Sequence, residues 1–214
     1  TSRSASSATC SHGAARVTSG GWHGRRRDAE QARPGADPST TIAAVHAPPR
    51  PHLHPHPLQV AAPILGAPAS SRLDKELVRQ DQTAVRVAAY VQAFQRVSLF
   101  EVFVDVKPGQ DVEAVSRRLD EIIAEFVRTG PTEDEVRRTI MSTLSGRIQG
   151  LEQVGGFGGK AVALAEGMLY ADDPDFYRTR LVRLAATTPA QVRSVMERWL
   201  SRPVFALRVG RGEE

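Results

Sequence analysis

Histidine and cysteine are the side chains best suited to hold a transition metal or to carry a proton near neutral pH. In this 214-residue sequence all of them crowd into the first 56 positions: Cys10, His12, His23, His46, His52, His54 and His56. The alternation of His52, His54 and His56 in PHLHPHP suggests a zinc or nickel site, because imidazole is a common ligand. Prolines at 51, 55 and 57 hold that stretch extended, however, and no neighbouring carboxylate or thiol completes a closed shell, so no more than adventitious metal affinity is expected of it. From Pro57 onward there is no histidine, and the serines there lack a conventional base. The clusters Glu133, Asp134, Glu135 and Asp172, Asp173, Asp175 fit helix N-termini, where negative charge meets the macrodipole, better than an acid and base pair.

The second stretch that could do chemistry is GGFGGKA, Gly155 to Ala161. A phosphate loop needs G-x-x-x-x-G-K-[ST], with the hydroxyl on magnesium. Counting back from Gly159 and Lys160 places Val154 where the first glycine belongs, and Ala161 stands where the hydroxyl should be. A dinucleotide fingerprint needs a strand before its glycines, whereas the period of the preceding residues is helical. Composition alone therefore reads GGFGGKA as a flexible connector between two helices.

The formal charge of +4 and a pI near 9.7 raise the prospect of a nucleic acid or an acidic membrane surface. The surplus lies entirely in residues 1–56, which hold seven arginines against Asp28, Glu30 and Asp37; the rest carries 21 basic and 21 acidic residues. Residues 1–56 have no helical or strand period and too little apolar surface to offset their chain entropy, so they are expected to be a disordered low-complexity segment. Their diet of Arg, Ala, Pro, Gly, Ser and His is also what out-of-frame translation of GC-rich DNA would yield. Nothing in the sequence has the length of a membrane span or the pattern of a signal peptide.

The elements that must position any site begin at about Leu58. LQVAAPILG suits a short helix, and Ser70 or Ser71 can cap a second through LDKELVRQ. TAVRVAAYVQAF and SLFEVFVDV, joined around Gln95 to Val97, read as a hairpin in which Phe100, Val102, Val104 and Val106 share one buried face. A helix from about Asp111 to Thr129 follows, stopped by Gly130 and Pro131. Thr132 and Glu135 form a capping box for a long helix that runs to the glycines. Two further helical pieces, a helix capped by Thr188 with Pro189 at its first position, and the strand PVFALRVG complete an α+β layer: an antiparallel-containing sheet packed with several helices.

The order of SSRLDKELVR (70–79), the hairpin, GPTEDEV (130–136), GGFGGKAVALAEGMLYADDPDFY (155–177) and TTPAQV (187–192) resembles the insulinase and pitrilysin family of zinc peptidases. It is most similar to the C-terminal half of the long bacterial members. The resemblance spans about Leu58 to Val209. It implies a mixed α+β unit, paired units forming a bowl, and two bowls enclosing a chamber for peptides. It also implies that zinc belongs to the other half, whose HxxEH motif supplies ligands and general base; no HxxEH occurs in this chain, so no cofactor is expected here. An Arg-x6-Tyr pair that helps to bind substrate in the family maps onto Arg79, but Arg86 stands at the tyrosine position. Arg79 is thus the one candidate substrate-binding residue, with a helix-surface salt bridge as its competing role, and no catalytic or metal-binding residue is assigned. The family's unit normally opens with a strand and helix ahead of SRL. Residues 34–57 offer no evident strand, so the domain, read as 57–214, is expected to be incomplete at its N-terminal edge.

The expected function is that of a non-catalytic half-domain of a zinc metallopeptidase, inactive alone, whose partners are an HxxEH half and peptide substrate. The alternative is an assembly or binding module of the same fold, as in core subunits of the respiratory bc complex. A remote third reading is a nucleic-acid-binding protein acting through residues 1–56; the neutral remainder, with no aromatic platform, weighs against it.

Overall fold

The computed structural model describes residues 15–19, 26–33, 40–47, 57–67, 69–93, 98–202 and 204–211, the first three of these segments as backbone. Among the described residues six strands form one sheet: β1 (Ala15–Ser19), β2 (Arg26–Arg33), β3 (Thr40–Ala47), β4 (Ala84–Ala93), β5 (Ser98–Val106) and β6 (Val204–Arg211). Their order across the sheet is β1-β2-β6-β3-β5-β4, antiparallel throughout except for the β2/β6 pair.

The hairpin of β4 and β5 is as the alternation predicts: Phe100, Val102, Val104 and Val106 are buried while Leu99, Glu101, Phe103 and Asp105 are half-buried. Its turn lies outside the described residues. Of residues 1–56 only the stretches 15–19, 26–33 and 40–47 are described; the rest of the segment, with Cys10, His12, His23, His52, His54 and His56, lies outside the described residues. Three strands, β1, β2 and β3, come from the segment expected to be disordered, and β3 lies in the stretch 34–57 where no strand was expected. The physical reason is non-local: β3 bonds to β5 on one side and β6 on the other, and β2 runs along the full length of β6. Pairing in a sheet overrides weak local strand propensity.

The helices cover the face that carries Phe100 and Val104. α1 (Leu58–Gly66) lies against β4 and β5 with Leu58, Val60, Ala61, Ala62, Ile64 and Leu65 buried. A short π-helix, Asp74–Gln80, follows; Ser71 does not cap it, since no side-chain cap bond is made there. Leu73, just before it, and Leu77, within it, are buried in the core. α2 (Val112–Thr129) buries Val115, Leu119, Ile122, Ile123 and Phe126 as one stripe, and the Asp111 carboxylate accepts from the Glu113 N–H at its start. α3 (Glu133–Glu152) opens on the predicted capping box of Thr132 and Glu135. α4 (Lys160–Ala171) and α5 (Phe176–Ala185) extend this layer. α6 (Pro189–Trp199) starts on a second capping box, between Thr188 and Gln191, and sets Val192 and Met196 in the core. No described helix is long and apolar enough to cross a membrane.

Candidate functional site

The face of the sheet opposite the helices has its own chemistry. On β4 the residues alternating with buried Val87 and Ala89 include Arg86 and Tyr90, and across from them on β5 stand Asp105 and Glu101. Arg86 donates through Nε to Asp105 at 2.9 Å. Tyr90 stacks on Phe103 with ring centroids 5.3 Å apart. Its hydroxyl is pushed above the usual tyrosine value by burial and by the hydrogen bond and charge of Glu101, so it stays a neutral donor at any physiological pH. The register of β3 with β5 and β6 puts Phe205 in the same row as Glu101 and Tyr90, and Phe205 is exposed. Three aromatic rings and two carboxylates thus share a sheet face that no described helix covers. Aromatic surface of this kind, amphipathic and rigid, is what interfaces and peptide grooves use. Sequence reasoning passed over Tyr90 and Phe205; the period of two along β4 and β6 was the signal that could have found them.

Arg79, the one candidate inferred from sequence, sits near the end of the π-helix, 58% exposed, with Nε donating to Asp74 at 2.8 Å. Its two terminal nitrogens have no partner among the described residues. Arg86, at the position where the family pattern has tyrosine, is committed to Asp105. The structure therefore leaves Arg79 with donors to offer and gives Arg86 an ion pair.

The glycine stretch between α3 and α4 is a built turn. Gly156 and Gly158 have φ of 85° and 90°, a region that costs any residue with a Cβ. A Cβ on Gly159 would meet the carbonyl oxygens of Gly155 at 2.5 Å and Gln153 at 2.9 Å. The N–H groups of Lys160 and Ala161 donate to the carbonyls of Gln153 and Val154 at 2.8 and 3.1 Å. A phosphate cradle needs such helix N-terminal donors free, so the turn is no such cradle. Instead it presents Phe157 fully exposed, with Ile148, Val154 and Val162 also exposed on either side in the chain. Among the described residues no group of three or more histidines, cysteines and carboxylates could hold a metal.

The described residues thus form a two-layer α+β unit with its helices against one face of the sheet. The Peptidase M16 inactive domain matches residues 25–143, and the chain belongs to that family, as the resemblance to insulinase and pitrilysin peptidases implied. An uncharacterized zinc protease of Streptomyces coelicolor is 31% identical over 143 residues, which are 64% of this chain and 29% of that protein. The chain thus spans less than a third of that relative's length. Among solved structures, the inactive peptidase domain of a zinc protease from Bordetella parapertussis superposes with a TM-score of 0.71 at 20% identity, covering 85% of this chain and 96% of that one. A protease from Helicobacter pylori gives 0.73 at 15% identity, covering 86% and 44%. The family match opens at residue 25, inside the segment expected to be disordered.

Proposed function

We propose that this chain is the non-catalytic C-terminal half-domain of an insulinase-like zinc peptidase. Joined to a half that bears HxxEH, it contributes to the wall of a peptide chamber; by itself it neither holds the catalytic zinc nor cuts peptides. The observation that carries this reading is the sheet face with Tyr90, Phe103 and Phe205 that no described helix covers, apolar surface that a partner or a bound peptide would shield from water. Family membership and the 29% coverage of a zinc protease support it, since the greater part of such a protein lies beyond the matched segment. Zinc, in this reading, is held by the partner's histidines.

The test is to mix the chain with an HxxEH-bearing half of an M16 peptidase, loaded with zinc, and to follow a quenched fluorescent peptide. Hydrolysis is expected from the mixture alone and should vanish with a chelator. Cleavage by this chain without a partner would sink the proposal. A stable complex that cuts nothing would favour the assembly module instead.

A further inference from the structure

Between α1 and the first half of α3 lies a cavity of about 480 Å³ that none of the surfaces above uses. Pro63 and Ile64 of α1 give it an apolar side, and Thr139 and Thr143 of α3, together with Ser71, give it hydroxyl groups. Ser71 is 1% exposed, and its hydroxyl has no hydrogen-bond partner. A buried hydroxyl left unpaired is costly, and Ser71 does no capping work for the π-helix it precedes. Its oxygen is closed off from solvent as it stands, so this orphaned hydroxyl beside the cavity meets a ligand only after turning about χ1.

The charges around the cavity decide what could satisfy it. Glu135 also lines it, but its carboxylate already accepts from Arg72 and from the N–H and hydroxyl of Thr132. Asp134 is paired with Arg137 at 2.7 Å. Arg138, by contrast, lines the cavity and donates only Nε, to the Asp134 carbonyl at 3.3 Å, with no ion pair among the described residues. The uncommitted groups are therefore a guanidinium, whose fork matches an oxyanion, a buried hydroxyl, and an apolar side.

We propose that this cavity binds the carboxylate end of a peptide: Arg138 and Ser71 donate to the terminal carboxylate, and an aliphatic last side chain covers Pro63 and Ile64. Inorganic phosphate shares the oxyanion chemistry but brings nothing to lay on the apolar side. This site does not depend on pairing with a zinc-bearing half.

The experiment titrates the isotope-labelled chain with N-acetyl-alanyl-leucine, with the same dipeptide as its C-terminal amide, and with inorganic phosphate, followed by NMR. The acid should shift signals of Ile64, Thr139 and Thr143 and saturate; the amide should bind about tenfold more weakly, the worth of a charge-assisted contact, and phosphate more weakly than the acid. Arg138→Gln should bring the acid down to the level of the amide. Ser71→Ala should weaken the acid while leaving the thermal midpoint unchanged or higher, because it removes no bond within the protein. Equal binding of acid and amide, indifference to Arg138→Gln, or phosphate binding without the acid overturns the proposal. So does a lowered midpoint in Ser71→Ala, which would make that serine structural.

Discussion

Arg72 ties three parts of the chain together through one guanidinium. Nε and Nη2 donate to the two oxygens of Glu135 at 3.0 and 2.9 Å, Nη1 to the Thr129 hydroxyl, and Nη2 also to the Gly130 carbonyl, while the group lies 4.5 Å from the Phe126 ring centroid. Removing it in Arg72→Ala takes the cationic partner from a part-buried carboxylate, which keeps only its Thr132 donors, and leaves the Gly130 carbonyl with only the Thr129 hydroxyl at 3.4 Å. The expected cost is roughly 2–3 kcal/mol, read as a fall in the urea midpoint. Burial pushes the Glu135 carboxyl up, but the Arg72 guanidinium and the Thr132 N–H and hydroxyl outweigh it and hold the group below the usual carboxylate value. A carboxylate depressed in the folded state stabilises fully above the unfolded-state pKa and loses that contribution as the pH falls through the folded-state value. The urea midpoint should therefore drop on acidification from about pH 5 to 3, and drop less in Glu135→Gln. Arg79→Ala tests a different role: its exposed bridge to Asp74 is worth under about 1 kcal/mol, so stability should barely move, whereas in an assembled peptidase KM should rise several-fold with kcat little changed. An unaltered KM would leave Arg79 as the surface ion pair and nothing more. The capping box of Thr132 and Glu135 was legible because it spans three residues. The Arg72 clamp was not, because its partners lie some 57 to 63 positions away.

At the scale of elements, α2, α3, α6 and the hairpin were readable because each has a clear period, and α3 and α6 each have a cap that names their start. β2 had neither: five of the eight residues in RRDAEQAR are charged, a pattern that pairing with β6 overrides. The glycine turn was half legible. Its place between two helices followed from composition, but its rigidity rests on carbonyl positions that no sequence displays. Those positions make the glycines unequal. Gly159→Ala forces a Cβ into two carbonyl oxygens and should cost about 1–3 kcal/mol. Gly156→Ala pays only for a left-handed backbone, roughly 1 kcal/mol. Gly155→Ala meets nothing within 4 Å and has no positive φ, so its thermal midpoint should match the parent or exceed it slightly. Three equal midpoints would mean that the turn is a slack connector after all.

The molecule as a whole hangs on whether residues before 57 belong to the domain. β6, the last strand in the chain, lies between β2 and β3, and its Val204 and Ala206 are buried in the core. A chain cut to 57–214 leaves β6 with no neighbour on either side and takes β3 from β5. The backbone groups freed in and beside a buried layer are each costly to leave unpaired, so this fragment should lose its cooperative unfolding transition and its near-ultraviolet circular dichroism. A chain cut to 26–214 removes, of the described strands, β1 at the sheet edge, and bares β2 as the new edge. It should keep the transition with a modestly lower midpoint and, with that edge unprotected, aggregate more readily. If instead the 57–214 fragment melts at the temperature of the full chain, the N-terminal strands contribute nothing to the fold. The domain would then begin at 57, as the composition of the first 56 residues suggests.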